Sequence, residues 1–379
     1  MTSPGATSVQ RIGFVIEQAL GHVTHTRNLQ AAVPADRAVE AHWALIPFPA
    51  SGIGASMPLY ASNWTVRAGL RSRRALRTLA RQTPLDALFF HTQVTAVLAS
   101  NWVRRIPSVV SLDATPLQYD ALGASYAHTP GPQWLERIKW RLNRDCYRDA
   151  RHLVTWSAWA RQGLINAYEV PAEKVTVIPP GVIITDWRTP EPRQAREGEV
   201  RILFVGGNLA RKGGLVLLEA WRRLNAARDA GAPMVELHLV TKDAVPAEPG
   251  LVVHHDMQPN SAALRQLYRD SDIFCLPTYG DCLPMVLSEA GAAGLPAVST
   301  RVAAIGEITH DGETGFLVEP GDALSLTAAL QRLVDDPELR LRMGARAVEL
   351  VARDFDAALN AQRLLDVLKR VASAATTRA

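Results

Sequence analysis

The chain has 379 residues, 47% of them apolar and 21% charged, with a formal net charge of +4. That length exceeds one ordinary core and suits two α/β domains, and the balance of residues excludes a disordered chain. No apolar run is long enough to span a membrane, and MTSPGATSVQR lacks the basic-then-apolar order of a secretion signal. Cys146, Cys275 and Cys282 have no metal-ligand spacing and form no even disulfide set, so a cytoplasmic, reducing location is expected.

In chain order, apolar β-rich runs alternate with helical stretches. RIGFVI (11–16), HWALIPF (42–48), LDALFF (85–90), IPSVVSL (106–112), HLVTWS (152–157) and KVTVIP (174–179) read as strands of a first half. Proline and charge dominate 189–198, which reads as a linker. The period then restarts with RILFVG (201–206), a helix over 214–227, VELHLV (235–240), LVVHH (251–255), DIFCLP (272–277) and PAVST (296–300). A helix follows over 355–375. The expected fold is α/β, with two Rossmann-like domains facing across a cleft, residues 1–190 and 191–379.

Charge is uneven, net +8 over residues 1–190 and −4 over the remainder. An anionic partner for the first half is one reading, and arginine-rich coding bias is the other. The segment WTVRAGLRSRRALRTLAR (64–81) places arginines at 67, 71, 74, 77 and 81 roughly along one side of a helix. Such a helix suits peripheral contact with an anionic membrane, against the plainer reading of a solvated helix packed on the core. Nothing in the pattern points to nucleic acid.

Ligands of open α/β sheets sit outside the carboxyl ends of strands, often at helix N-termini. IEQALGHVTHTRNL (16–29) closes the first strand, and Gly21 is where backbone can crowd a phosphate. His22 and His25, three apart, can share a helix face. Metal binding there lacks a third ligand, and His25 reads better as a packing residue. His91 and Asp113 follow the third and fourth strands, where either suits a sugar hydroxyl; a helix cap or turn role for Asp113 stays open.

In FVGGNLARKGG (204–214), Gly206 and Gly207 precede two cations, Arg211 and Lys212, and a helix start. This is neither a dinucleotide fingerprint nor a P-loop, but it suits a diphosphate clamp. Asp281 and Glu289 stand eight residues apart in DIFCLPTYGDCLPMVLSEAG, one on a loop and one two turns along a helix. Together they suit a polyhydroxylated ligand carrying phosphate. Asp354–Phe355–Asp356 reads as a cap or helix surface rather than a metal pair, and most tryptophans read as core.

Taken together, these residues resemble glycosyltransferase family 4, the retaining, nucleotide-sugar-dependent enzymes of GT-B fold. The likeness covers nearly the whole chain and is strongest over 200–322. It implies that Asp281, where Glu is usual, contacts donor-sugar hydroxyls beside the Cys282 and Leu283 amides. Glu289 would hold the ribose, and Lys212 the phosphate, with Arg211 supplying a charge that Gly207 lacks. HDGETGFLVEPGD (310–322) matches the family's C-terminal signature. Two departures stand out: VIPPGVI (177–183) carries Pro180 and Ile183 where Asn and Asp are usual, and Asp113 takes the place of a catalytic-site His. The resemblance further implies a C-terminal helix returning to the first domain and catalysis by Asp113, Arg211, Lys212 and Asp281. No cofactor or metal is implied, the nucleoside-diphosphate sugar being the donor substrate and a hydroxyl compound the acceptor. A sugar-nucleotide epimerase, a glycan phosphorylase and a non-catalytic sugar-nucleotide binder remain alternatives on the same plan.

Overall fold

The computed structural model describes residues 9–19, 21–50, 56–123, 131–189, 193–194, 198–229 and 234–376. They form two compact units. The first takes most of the chain up to Pro180 together with the stretch from Ala357, and the second holds Gly181–Asp356.

The first unit has six strands: β1 (Gln10–Gln18), β2 (Val39–Pro47), β3 (Ala87–His91), β4 (Ser108–Leu112), β5 (His152–Thr155) and β6 (Val175–Val177). They pair in the order β2-β1-β3-β4-β5-β6, every pair parallel. β3 and β4 are buried at every position, as continuous apolar runs covered on both faces must be. Helices α1 (His22–Ala32) and α2 (Trp64–Gln82) belong to this unit. The Asn63 side chain accepts from the Val66 amide at 3.1 Å and sets where α2 begins.

The second unit has β7 (Arg201–Val205), β8 (Glu236–Val240), β9 (Leu251–His254), β10 (Ile273–Leu276), β11 (Ala297–Thr300) and β12 (Gly315–Val318). Their order is β12-β11-β10-β7-β8-β9, again all parallel. The strand direction of travel reverses between β7 and β10 here, and between β1 and β3 in the first unit. Those are the places where a doubly wound sheet opens a crevice at its carboxyl edge. Three helices matter for the site: α3 (Gly214–Ala226), α4 (Ala262–Arg269) and α5 (Met285–Ala292).

The C-terminal helix, α6 (Ala357–Thr376), belongs to the first unit. Ala361, Leu364, Leu365 and Leu368 recur at helical spacing and are buried with Ile12, Phe14, Ile16, Phe89, Val109 and Val154. This is the return of the chain that the family resemblance implied.

Several local expectations change. GFLV (315–318), absent from the strands read along the sequence, is the edge strand β12, paired to β11. The second unit begins at Gly181 rather than at 191. Part of the expected linker lies outside the described residues, but Arg193 is fixed. Its guanidinium donates to the carbonyls of Ala293, Ser271 and Tyr268 at 2.6–2.8 Å and to that of Arg269 at 3.2 Å. Asp354 closes a helix and pairs with Arg353, while Phe355 is buried.

The arginines of α2 do not form one exposed row. Arg67 is buried and donates to the carbonyls of Phe48, Tyr60 and Ala61, and Arg71 donates to the Tyr60 hydroxyl and the Pro49 carbonyl. These two guanidiniums tie α2 to the chain at 48–49 and to the short helix Pro58–Ser62 before it. Arg74, Arg77 and Arg81 remain exposed, beside Leu70.

Leu368 is fully buried. Leu368→Ala is expected to destabilise the first unit by about 2–5 kcal/mol, seen as an earlier urea midpoint in tryptophan fluorescence.

Candidate functional site

In the second unit the loops after β7 and β10 meet at the crevice. β7 ends at Val205 and the chain turns through Gly206 and Gly207. A Cβ on Gly206 would lie 2.8 Å from the Phe204 ring and 3.0 Å from Lys212 Cγ, so its absence makes room for the lysine stem. No atom approaches the Cβ position of Gly207 within 4 Å, leaving that backbone open. The turn is held by the Asp243 carboxylate on the Leu209 amide (2.6 Å) and by Asn208 Oδ1 on the Arg211 amide (2.8 Å).

Gly213 precedes α3 with φ at +75°, and a Cβ there would sit 1.8 Å from the Pro277 carbonyl oxygen. Only glycine permits both the left-handed backbone and that contact. The two loops are thereby pressed together. The Arg211 carbonyl accepts from the Tyr279 amide (3.0 Å) and the Thr278 hydroxyl (3.3 Å), and Thr300 Oγ1 donates to the Thr278 carbonyl at 2.6 Å.

This brings Lys212 onto Asp281. The ammonium lies 2.6 Å from Oδ1 and 2.7 Å from Oδ2, with Arg211 Nη1 3.5 Å from Oδ1 and 2.6 Å from the Gly280 carbonyl. Cys282 and Leu283 follow, both buried. Pro284 precedes α5, and no side chain caps α5 or α3, so their N-termini keep positive potential, although the Gly214 amide at the start of α3 already donates to the Leu209 carbonyl at 2.7 Å.

Glu289 lies on α5, buried, and accepts from the Tyr268 hydroxyl at 3.0 Å. Burial pushes its carboxyl up to about 7, an effect that the tyrosine hydrogen bond partly opposes. Tyr268 comes from α4, is fully buried, and stacks on Phe274 of β10. Its role has no sequence signal, because 21 residues of unrelated pattern separate the partners. The structure thus brings Gly206, Arg211, Lys212 and Asp281 together and adds Gly213, with Gly207 in the same turn and Cys282 and Leu283 next along the chain, while Glu289 pairs with Tyr268.

Two family models match the chain in succession: Glycosyltransferase Family 4 over residues 22–186, and Glycosyl transferases group 1 over 199–336. The chain belongs to glycosyltransferase family 4. Curated relatives include the MMP alpha-(1->4)-mannosyltransferase of Mycolicibacterium hassiacum, 31% identical over 60% of this chain and 56% of that protein. The D-inositol 3-phosphate glycosyltransferase of an Arthrobacter species is also 31% identical, over 51% and 49%. The chain spans about half the length of the curated relatives it matches. Among solved structures, sucrose-phosphate synthase from Thermosynechococcus elongatus superposes with TM-score 0.74 at 16% identity, covering 96% of this chain and all of that one. Anabaena Alr3699/HepE in complex with UDP and glucose gives 0.68 at 16% identity, over 95% and 100%. These likenesses show the GT-B fold.

The first unit of this family 4 chain has its own cluster where β1 and β3 end. Glu17, buried, accepts from Trp64 Nε1 at 2.6 Å and from Thr92 Oγ1 at 2.7 Å, with His22 Nε2 3.4 Å away. His22 Nδ1 lies 2.9 Å from His91 Nε2. His91, fully buried, stacks on Trp156 with ring centroids 5.0 Å apart, and His25 packs against both rings. Burial, then the neighbouring His22, lowers His25 to about 3, and burial with both histidines holds His91 well below the usual range. Both rings are thus neutral.

His22 and His25 do share this wall, with His25 in the packing role expected. Glu17 and Trp156 were not legible, since only the strand order joins their loops. Asp113 stands two residues beyond Ser111, the register partner of His91, and is half-buried outside the hydrogen-bonded cluster. Thr115 rather than Asp113 caps the next helix, accepting from the Gln118 amide at 3.3 Å. Gly21 has φ −64° and no atom within 4 Å of a Cβ, so nothing packed against it in the unit requires glycine.

Two outcomes follow from this geometry. Gly213→Ala is expected to cost at least about 1–2 kcal/mol from the left-handed backbone alone, with the Pro277 clash in addition, read as a lower unfolding midpoint. Because the folded Glu289 pKa lies above its ordinary 4.5, its contribution to stability is complete below that value and is lost as pH rises through about 7. In Glu289→Gln this decline, on the order of 3 kcal/mol, is expected to vanish from stability curves measured between pH 4.5 and 7.5.

Proposed function

We propose that the chain is a retaining glycosyltransferase that moves a hexosyl group from a nucleoside-diphosphate sugar to an acceptor hydroxyl. What supports this is the meeting of Arg211 and Lys212 with Asp281 where the loops after β7 and β10 press together, next to two helix N-termini without side-chain caps, with a second buried carboxylate, Glu289, eight residues further on along α5. The cations and helix ends suit a diphosphate, and the carboxylates suit the hydroxyls at either end of it.

In this reading Glu289 holds the ribose, steadied by Tyr268, and Asp281 holds sugar hydroxyls beside the Cys282 and Leu283 backbone. Arg211 and Lys212 stabilise the charge that grows on the departing diphosphate. The bond from the anomeric carbon to the β-phosphate oxygen breaks, and the acceptor oxygen bonds to that carbon on the same face. The acceptor proton passes to the leaving phosphate. Because protein cations carry the charge, the reading calls for no cofactor and no metal.

The acceptor falls to the first unit, whose carboxyl edge presents Asp113 and the His22 ring. The Anabaena neighbour's complexes with UDP and glucose and with UDP-glucose make uridine nucleotides the first donors to try, and the mannosyltransferase relative adds GDP-mannose. A cytoplasmic location with peripheral membrane contact would use Arg74, Arg77 and Arg81 on the outer side of α2. Among the described residues no helix is long and apolar enough to cross a membrane.

Titration with UDP, GDP, ADP and TDP and their hexose conjugates tests the reading, followed by transfer assays with the donor that binds. Micromolar binding of one conjugate is expected, weakened in Glu289→Ala. Lys212→Ala should lower kcat by about 10²–10³-fold at saturating donor, the scale of losing one charge-stabilising group. Unchanged turnover in that variant overturns the role of Lys212, and binding without transfer to any acceptor favours a sugar-nucleotide binding protein.

A further inference from the structure

The contact between Lys212 and Asp281 bears on which ligands the crevice retains, an inference that rests on the sugar-nucleotide reading. A lysine ammonium has three N–H donors. The two oxygens of Asp281 engage it at 2.6 and 2.7 Å, leaving one donor for anything else. Side-chain exposure is 15% for Lys212 and 11% for Asp281, so water replaces little of what either loses when they part. A second cation, Arg211, reaches Asp281 only at 3.5 Å, its Nη1 being committed to the Gly280 carbonyl at 2.6 Å.

A diphosphate entering the crevice competes with Asp281 for the ammonium. If it wins, a buried carboxylate is left beside a like charge with only the longer Arg211 contact, and a poorly paired buried charge is costly. A sugar nucleotide brings the remedy with it, since its sugar hydroxyls donate to the carboxylate as the ammonium turns to phosphate. A bare nucleoside diphosphate brings no such donor. Sugar and lysine are alternative partners of one carboxylate.

We propose that Asp281 is a selectivity residue that disfavours the free nucleoside diphosphate, reclaiming Lys212 once the sugar has gone and so speeding loss of the spent donor. The aspartate arm, shorter than the glutamate usual at this place, reaches Lys212 through both oxygens while Arg211 makes its shorter contact to the Gly280 carbonyl.

The test compares wild type, Asp281→Asn, Asp281→Ser and Asp281→Glu by calorimetric titration. The probes are the tightest-binding conjugate among the glucose, galactose and mannose esters of UDP, GDP, ADP and TDP, and its own diphosphate. In either neutral variant the diphosphate is expected to bind about tenfold tighter, while the conjugate gains less or weakens. The ratio of the two dissociation constants therefore shrinks, and Asp281→Glu restores it. Diphosphate affinity that is unchanged or weakened in a folded neutral variant overturns the proposal, as does an unchanged ratio. Unfolding of both neutral variants by circular dichroism also overturns it, because the pair would then be a structural brace. A wild-type chain that binds neither probe removes the sugar-nucleotide reading itself, whereas wild-type binding of both with an invariant ratio removes only the role of Asp281.

Discussion

The contact of Gly213 with the Pro277 carbonyl governs the second unit's chemistry. A side chain at 213 would occupy the space of that oxygen, and the loops after β7 and β10 would part. With glycine there, the Arg211 carbonyl reaches the Thr278 hydroxyl and the Tyr279 amide, and the Lys212 stem lies over Gly206 toward Asp281. Two charged groups from strands that are neighbours in the sheet, but about seventy residues apart along the chain, are set in register by one missing methyl group.

The two units solve a common problem differently. Each must keep polar groups at the crevice without leaving them bare in a low-dielectric interior. The second unit uses opposite charges, Lys212 against Asp281, and gives its other carboxylate, Glu289, a neutral phenol. The first unit surrounds Glu17 with neutral or shared donors from Trp64, Thr92 and His22, and continues the chain into His91. The imidazole of His91 is in turn stacked on Trp156.

Much of this was legible in the sequence because parallel strands buried on both faces are continuous apolar runs, and eleven of the twelve strands were read within a few residues of their observed ends. β12 escaped because GFLV is four residues of edge strand set among turn residues, where its pairing to β11 rather than its own pattern defines it. Arg211, Lys212, Asp281 and Glu289 stood out in the sequence because each sits past a strand or on the helix that follows, and the structure brings the first three together. Tyr268 and Trp156 could not, because nothing in a sequence says which buried aromatic will meet which carboxylate or imidazole. Arg67 misled for a related reason. Its helical spacing matched the exposed arginines, but its partners are the Phe48 carbonyl, nineteen residues back, and the Tyr60 carbonyl of the short helix Pro58–Ser62.

The C-terminal helix has a consequence for how the chain acquires its structure. Leu364, Leu365 and Leu368 complete a hydrophobic layer over Ile12, Phe14 and Phe89, yet leave the ribosome after the entire second unit. The usual order, in which an N-terminal domain finishes folding while the rest is still being made, is closed to this molecule. Its second unit can mature first, and the half-covered sheet that was translated earlier must wait, with apolar surface in water, for α6 to arrive.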